Sequence, residues 1–335
     1  MMRRMLGRSG IEVSALGLGC YPMGGPFWRG DHDKVAWQSK ELKQFPGGWG
    51  AVDDQESIRA IHTALDLGIN FLDTSESYGC GHSERVIGKA IAGRRNQVVL
   101  GTKFGNVIDE DRKLYLGHRA DPDFIRQCCV NSLQRLSTDY IDIYYLHWGD
   151  FDGDLDPILA TLEDLSSEGK IRAYGWSTDN AEAMREFAAG SHCSAVEFAL
   201  NLIRQNPEML QLCDDVDLGG VIRSPLSMGL LTGKYSQEKQ FDKDDIRHNW
   251  NLAEGRFAEI HGLVEALRDI LTSEGRSVVQ GALAWIWAQS DRIVPIPGFR
   301  NVSQIEENAR AMEFGSLTQS SVDEIEQIMS SRADQ

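Results

Sequence analysis

The sequence predicts an α/β fold, a closed (β/α)8 barrel of the TIM type, from three observations. Short apolar runs alternate with helical patterns from end to end, eight such runs are present, and 335 residues is an ordinary size for a barrel of this kind. The runs fall at 15–19, 69–74, 98–103, 141–147, 171–177, 195–199, 220–224 and 292–296. Several, 141–146 above all, are nearly continuous in apolar and aromatic residues, as expected of parallel strands covered on both faces. Eight β-then-α units favour a closed barrel over an open sheet. Ahead of the first run, residues 2–13 with Gly7 and Gly10 predict a β-hairpin at the barrel floor.

Between the runs lie amphipathic stretches. In 54–67, Ile58, Ile61 and Leu65 share a face, Asp53 and Glu56 have capping-box spacing, and Gly68 follows the end. In 256–271, Ile260, Leu263, Val264, Leu267 and Leu271 repeat the helical spacing. No low-complexity linker or solenoid repeat interrupts the pattern, so one domain over 1–335 is the expectation. Two connections are long, 24–52 after the first run and 225–255 after the seventh. Connections of this length are usually functional or disordered, and both leave the C-terminal ends of strands, the face where barrel enzymes keep their chemistry.

Composition excludes several classes. With 41% hydrophobic and 25% charged residues the chain is globular rather than disordered or fibrous. Its 34 basic against 50 acidic residues give a net charge of −16, which repels a phosphate backbone and argues against nucleic acid. The longest apolar run, 278–288, falls far short of the ~20 residues of a membrane span. Arg3 and Arg4 are followed by Gly7, Arg8, Ser9 and Gly10 where a signal peptide would place its apolar segment. Six cysteines without a C-x-x-C pair predict reduced buried thiols and a cytoplasmic location. Cys80 and His82 are close but lack further ligands, so no metal site is expected.

Polar residues at the strand ends carry the first functional signal. The second run ends in FLDTSESYG with Asp73 and Tyr78, the third in GTKFG with Lys103, and the fourth in YYLHW with His147. Each has an ordinary reading: the Asp as a helix cap, the Lys as solvated, the His as a hydrogen-bonded core residue. Together on neighbouring strands they mean more, because a lysine in a barrel mouth needs a carboxylate partner and Asp73 is the obvious one.

These segments resemble a known family. INFLDTSESYGCGHSERVIGKAI, VVLGTKFG, YIDIYYLHW, GKIRAYGWS, RSPLSMGLLTGKY and VPIPGFRNVSQIEEN look like the successive signatures of the aldo-keto reductases, in the family's order and across residues 11–312. The resemblance implies a (β/α)8 barrel and an NADP(H) cofactor bound across its mouth without a Rossmann domain. No G-x-G-x-x-G follows an expected strand, in keeping with this. It implies reduction of aldehydes or ketones, with Tyr78 as proton donor and Lys103, Asp73 and His147 in support. A phenol is a sluggish acid near neutrality, and a nearby ammonium stabilises the phenolate it leaves. Two rivals stay open: a cofactor-binding, redox-sensing regulatory subunit resembling the potassium-channel beta subunits, and a barrel isomerase or lyase without redox chemistry.

The same resemblance implies cofactor contacts at Gly19, Cys20, Tyr21, Asp73, Ser177, Thr178, Glu197, Arg223, Ser224, Leu226, Gly229, Lys234, Gly298, Arg300, Gln304, Glu307 and Asn308. Three of these depart from the family pattern: Thr178 stands where many members have Asn, Glu197 where Gln is usual, and Arg223 where an aromatic residue often stacks on the nicotinamide. Arg300 favours NADP over NAD, since a guanidinium forks onto phosphate oxygens. Substrate contacts are expected at Trp28, Tyr78, His147 and Trp148. The connection 24–52 carries Phe27, Trp28, Trp37, Phe45 and Trp49, and either folds over the mouth as an apolar wall of the substrate pocket or is a surface loop that these aromatics pin to the barrel. The oligomeric state and the particular carbonyl substrate are not legible.

Overall fold

The computed structural model of the chain describes residues 2–30 and 44–333. Eight strands build the central sheet: β1 Gly17–Gly19, β2 Phe71–Asp73, β3 Val99–Phe104, β4 Ile141–Leu146, β5 Ile171–Ser177, β6 Cys193–Ala199, β7 Gly219–Arg223 and β8 Ile293–Pro295. Each overlaps one of the runs expected from the sequence, with β3, β6 and β7 extending one or two residues beyond theirs. Neighbours pair in parallel in chain order. A bridge from Gly19 to Gly298, with the Gly19 N–H donating to the Pro297 carbonyl at 3.1 Å, brings the last strand back to the first and nearly closes the barrel. Glycine suits the closure, because a Cβ on Gly19 would lie 2.5 Å from the Ile296 carbonyl oxygen.

Strand alternation explains the uninterrupted apolar runs. Phe71, Val99, Ile143, Tyr145, Ala173, Ala195, Val221 and Val294 fill the barrel interior. Tyr144, Leu146, Trp176, Phe198 and Ile222 point outward into a second core against the surrounding helices, where Trp285 and Trp287 also pack. Both faces are dry, so neither parity needs polar residues.

The floor is closed by the expected hairpin. Strands Arg3–Met5 and Glu12–Ser14 pair antiparallel, and Leu6, Ile11 and Val13 join the interior core from below. The Arg8 N–H donates to the Asp217 carbonyl, and its guanidinium donates to the carbonyls of Cys193 at 2.7 Å and Ala188 at 2.5 Å. These carbonyls border the N-terminal ends of β6 and β7. The opposite ends of the strands stay open.

Helix α1 (Asp54–Asp66) is capped by Asp53, which accepts from the N–H groups of Gln55 and Glu56 at 2.8 and 3.1 Å. The capping box does not close. Glu56 instead accepts from Arg59 and from the Val302 N–H at 2.9 Å, at the start of the helix Val302–Phe314, so a tertiary partner wins over the local one.

The described parts of the long connections lie at the mouth. Within 24–52, Trp28–Gly30 and Gln44–Pro46 join Asn106–Asp109 and Leu114–His118 in a four-stranded rim sheet. Residues 31–43, including Trp37, lie outside the described residues. The connection after β7 opens with left-handed backbone at Ser224, Ser227, Met228 and Gly229. The two loops meet: the Ile246 N–H donates to the Gly48 carbonyl at 2.8 Å, and the Arg247 guanidinium lies 4.0 Å from the Trp49 ring centroid. All six cysteines are buried and unbridged. Among the described residues no helix is long and apolar enough to cross a membrane.

The tight seat of Gly7 gives a stability test. Its φ is +49°, and an added Cβ would overlap the carbonyl oxygens of Asp217 and Ser194. Gly7→Ala is expected to cost about 2 kcal/mol or more in chemical denaturation, by lifting the plug off the floor.

Candidate active site

One parity of the barrel strands delivers the site. Residues facing inward at the C-terminal end are Gly19 after Gly17, Asp73 after Phe71, Lys103 after Gly101, His147 after Tyr145, Ser177 after Gly175, Glu197 after Ala195 and Arg223 after Val221. Below them the same parity is apolar core. At the mouth it turns polar, and all of these except Lys103 line a single cleft of about 740 Å³. Tyr78 joins them from the turn between β2 and helix α2 (His82–Ala90).

Lys103 is the centre. Its side chain is fully buried behind the Tyr78 phenol. Nζ lies 2.5 Å from Asp73 Oδ1, 3.0 Å from the Thr74 carbonyl, 3.0 Å from Glu197 Oε2 and 3.3 Å from the Tyr78 hydroxyl. Burial works against the ammonium, but Asp73, Glu197 and Tyr78 together outweigh it and hold its pKa well above the ordinary value. Burial, reinforced by the Glu197 charge, pushes the Asp73 carboxyl up, with Lys103 pulling against it. Burial likewise raises Tyr78, and Lys103 offsets only part of that rise. The phenol therefore stands protonated beside a fixed positive charge.

His147 is held neutral. Burial lowers its pKa well below the ordinary value, and the charge of Lys103 adds to this. Its Nδ1 lies 2.9 Å from Asn106 Nδ2 and 3.1 Å from Ser75 Oγ. The Asn106 amide also donates to Glu76 Oε1 at 2.7 Å, and Ser75 Oγ donates to Glu76 Oε2 at 2.5 Å. A carboxylate only accepts, so it turns the amide N–H toward itself and leaves His147 Nδ1 as an acceptor. The ring proton is then on Nε2, a donor for an oxygen in the cleft. Burial raises Glu76 to about 6, against the hydrogen bonds from Ser75 and Asn106. Ser75, Glu76 and Asn106 escaped the sequence reading, although they sit beside Asp73 and Lys103 in DTSES and KFGN.

Of the expected cofactor positions, only Cys20 and Thr178 stay off the cleft wall. Cys20 Sγ turns to the Leu18 carbonyl, and Thr178 Oγ1 donates to the Gly149 carbonyl at 2.6 Å. Two expected substrate contacts also lie behind the wall. Strand alternation turns Phe27 and Arg29 to the cleft and Trp28 away from it. Trp148 stacks on His118 (centroids 4.9 Å, planes 11° apart), and His118 is the residue that faces the cleft. The aromatic wall is Tyr21, Phe27, Trp49 and Tyr115, with Tyr21 edge-on to Tyr78 at 4.9 Å. Arg223 pairs with Asp179, and Lys234 with Glu307 across the far end of the cleft. Arg300 donates to the Trp49 and Ala51 carbonyls, tying the loop after β1 to the last strand. Among the described residues no group of three metal-ligating side chains converges, and His82 pairs with Asp54.

The structure is thus a (β/α)8 barrel stoppered below, with a buried lysine, phenol and imidazole at its mouth. The family profile described as "Aldo/keto reductase family" matches residues 42–330, and the chain belongs to that family. It is 33% identical over 304 residues to the aldo-keto reductase YhdN of Bacillus subtilis, covering 89% of this chain and 85% of that protein. It is 34% identical over 281 residues to the aldo-keto reductase yakc of Schizosaccharomyces pombe, whose name carries NADP(+), covering 81% and 82% of the two chains. Among solved structures, the glycerol dehydrogenase AKR11B4 of Gluconobacter oxydans superposes with a TM-score of 0.83 at 28% identity, covering 98% of this chain and 95% of that one. An aldo-keto reductase of Klebsiella pneumoniae in complex with NADPH superposes with a TM-score of 0.70 at 25% identity, covering 98% and 95%.

Replacing the buried cation gives a pH-dependent stability test. Lys103→Met leaves Asp73 and Glu197 buried without their counter-charge, at an expected cost of about 3–5 kcal/mol near neutral pH. A carboxyl whose pKa is raised by folding contributes stability when protonated, below its unfolded value, and loses it as pH rises. The variant should therefore recover toward acid pH in urea melts, while a deficit independent of pH would refute the ion cluster.

Proposed function

We propose that this chain is an NADP(H)-dependent reductase of aldehydes or ketones. The observation that carries the reading is the Tyr78 hydroxyl, 3.3 Å from Lys103 Nζ and opening onto the cleft beside His147. The residues present suit the cofactor. The left-handed backbone at Ser224, Ser227, Met228 and Gly229 turns the chain tightly along the cleft, where Ser224, Met228 and Gly229 line the wall. Arg300 and Lys234 add cations at the same end, in a chain whose net charge of −16 otherwise opposes a phosphorylated ligand. Ser177 and Glu197 line the wall nearest Lys103.

When bound, NADPH supplies a hydride to the carbonyl carbon. The chain's own side chains do the rest. His147 Nε2–H and the Tyr78 O–H both reach the substrate oxygen and fix the carbonyl in the cleft. Tyr78 gives its proton to that oxygen, and Lys103 stabilises the phenolate left behind. Asp73 holds the lysine. Ser75, Asn106 and Glu76 keep His147 in the donor tautomer. Tyr21, Phe27 and Trp49 form apolar walls that exclude water from the oxygen. Cytoplasmic residence and a small-molecule partner belong to the same reading.

Two measurements test it. With a panel of aldehydes, ketones and sugar-derived carbonyls, the native chain should consume NADPH, seen as loss of its near-ultraviolet absorbance. Tyr78→Phe should then lower kcat by about 100- to 10,000-fold while NADPH affinity stays within a few-fold. NADPH that binds but is never consumed would favour a redox-sensing subunit instead. Arg300→Ala should weaken NADPH by about 10- to 100-fold and leave NADH nearly unchanged, read as fluorescence titrations with each cofactor.

A further inference from the structure

The lysine cluster holds one carboxylate more than it needs. Asp73 from β2 already neutralises Lys103, yet Glu197 from β6 reaches across the barrel to the same ammonium. Ser177 Oγ donates to Glu197 Oε1 at 3.1 Å, which leaves Oε2 turned to Nζ. Both carboxylates are buried, and neither Asp73 Oδ2 nor Glu197 Oε2 makes a hydrogen bond, so Glu197 meets Lys103 as an ion pair. The cluster thus holds two acids against one base out of water, and desolvating the second acid is costly unless it serves the site.

The neighbours of Glu197 on every side are known. Lys103 faces it from β3, Asp73 and the Tyr78 phenol from β2 and its turn, the Tyr145 phenol from β4, and the Ser177 hydroxyl from β5. The Cys20 thiol adjoins Asp73 and Lys103 from the β1 side. From β7, Arg223 is engaged by Asp179. Among these groups Lys103 is the cation in contact with Glu197. Its positive charge is what makes Tyr78 a better acid, and a second carboxylate on that charge weakens the effect.

We propose that Glu197 is a positioning residue for the reaction: as a second counter-ion of Lys103 it sets the proton affinity of Tyr78 and keeps the phenol protonated to higher pH than a single Asp–Lys pair would. The proposal rests on the reductase reading and deepens it. Its consequence is a directional one, since a phenol that holds its proton serves carbonyl reduction and is a poor base for alcohol oxidation. Burial and the charges of Asp73 and Glu197 raise Tyr78 in the same sense.

Glu197→Gln removes the charge and keeps the shape. The alkaline decline of carbonyl reduction should move to lower pH by about one unit, and the rise of alcohol oxidation should move with it. Glu197→Asp, which keeps the charge, should return both limbs toward the native position. A second readout is independent of turnover: the tyrosinate absorbance of Tyr78, taken as the difference between each protein and its Tyr78→Phe counterpart, should appear at lower pH in Glu197→Gln than in the native chain. If Glu197→Gln does not fold, Asp73→Asn leaves Glu197 as the sole counter-ion, and the same titration should again fall; a rise there overturns the proposal. Unchanged limbs and an unchanged tyrosinate titration in folded Glu197→Gln also overturn it, including the case where only NADPH affinity changes. A native chain that turns over no carbonyl would sink the reductase reading alone, because the tyrosinate titration still decides the role of Glu197.

Discussion

A fully buried ammonium organises this mouth. Lys103 lies in the sealed top layer of the barrel, where an unpaired charge would be intolerable, so its surroundings are dictated by what it requires. It draws Asp73 from β2, Glu197 from β6, the Thr74 carbonyl and the Tyr78 hydroxyl into one shell within 3.3 Å. The strands are tied by backbone hydrogen bonds lower down, but at the rim this shell decides where the polar side chains point. In the proposed chemistry the same forces do the work of catalysis, since the charge that must be neutralised is the one that makes a phenol useful.

Two further layers support that shell. Behind His147, a triad of Ser75, Glu76 and Asn106 fixes the ring. In front, the loops after β1 and β7 meet through Gly48, Ile246, Trp49 and Arg247, while Arg300 anchors the first loop to the end of the barrel. Arg247 is buried, paired with Asp245, and also donates to the Met228 carbonyl and the Tyr235 hydroxyl. The long connections thus form a braced frame around the cleft.

The strands were legible because each is a short run with both faces dry, so apolar density alone marks it. Asp73, Lys103 and His147 stood out because three neighbouring runs close on charged or polar residues, a coincidence that the ordinary reading of each one alone does not explain. Beyond Ser75, Glu76 and Asn106, three more things escaped, each for a physical reason. The capping role of Glu56 depended on Val302, which is far away in the chain. Trp28 and Trp148 were read as substrate contacts from residue type, but facing depends on strand alternation and on packing against His118. Glu197 was placed at the cofactor by its position, while its ion pair with Lys103 crosses the barrel between strands that are not neighbours. Parity along the strands was the unused signal, since the inward residue at each upper end is a member of the site.

The hairpin beneath the barrel has a consequence at the other end. With Leu6, Ile11 and Val13 packed under the filled interior, the base of the barrel is shut and the cleft lies at the other end. A stopper on the far side of the molecule thereby leaves the upper end as the side from which a guest can approach.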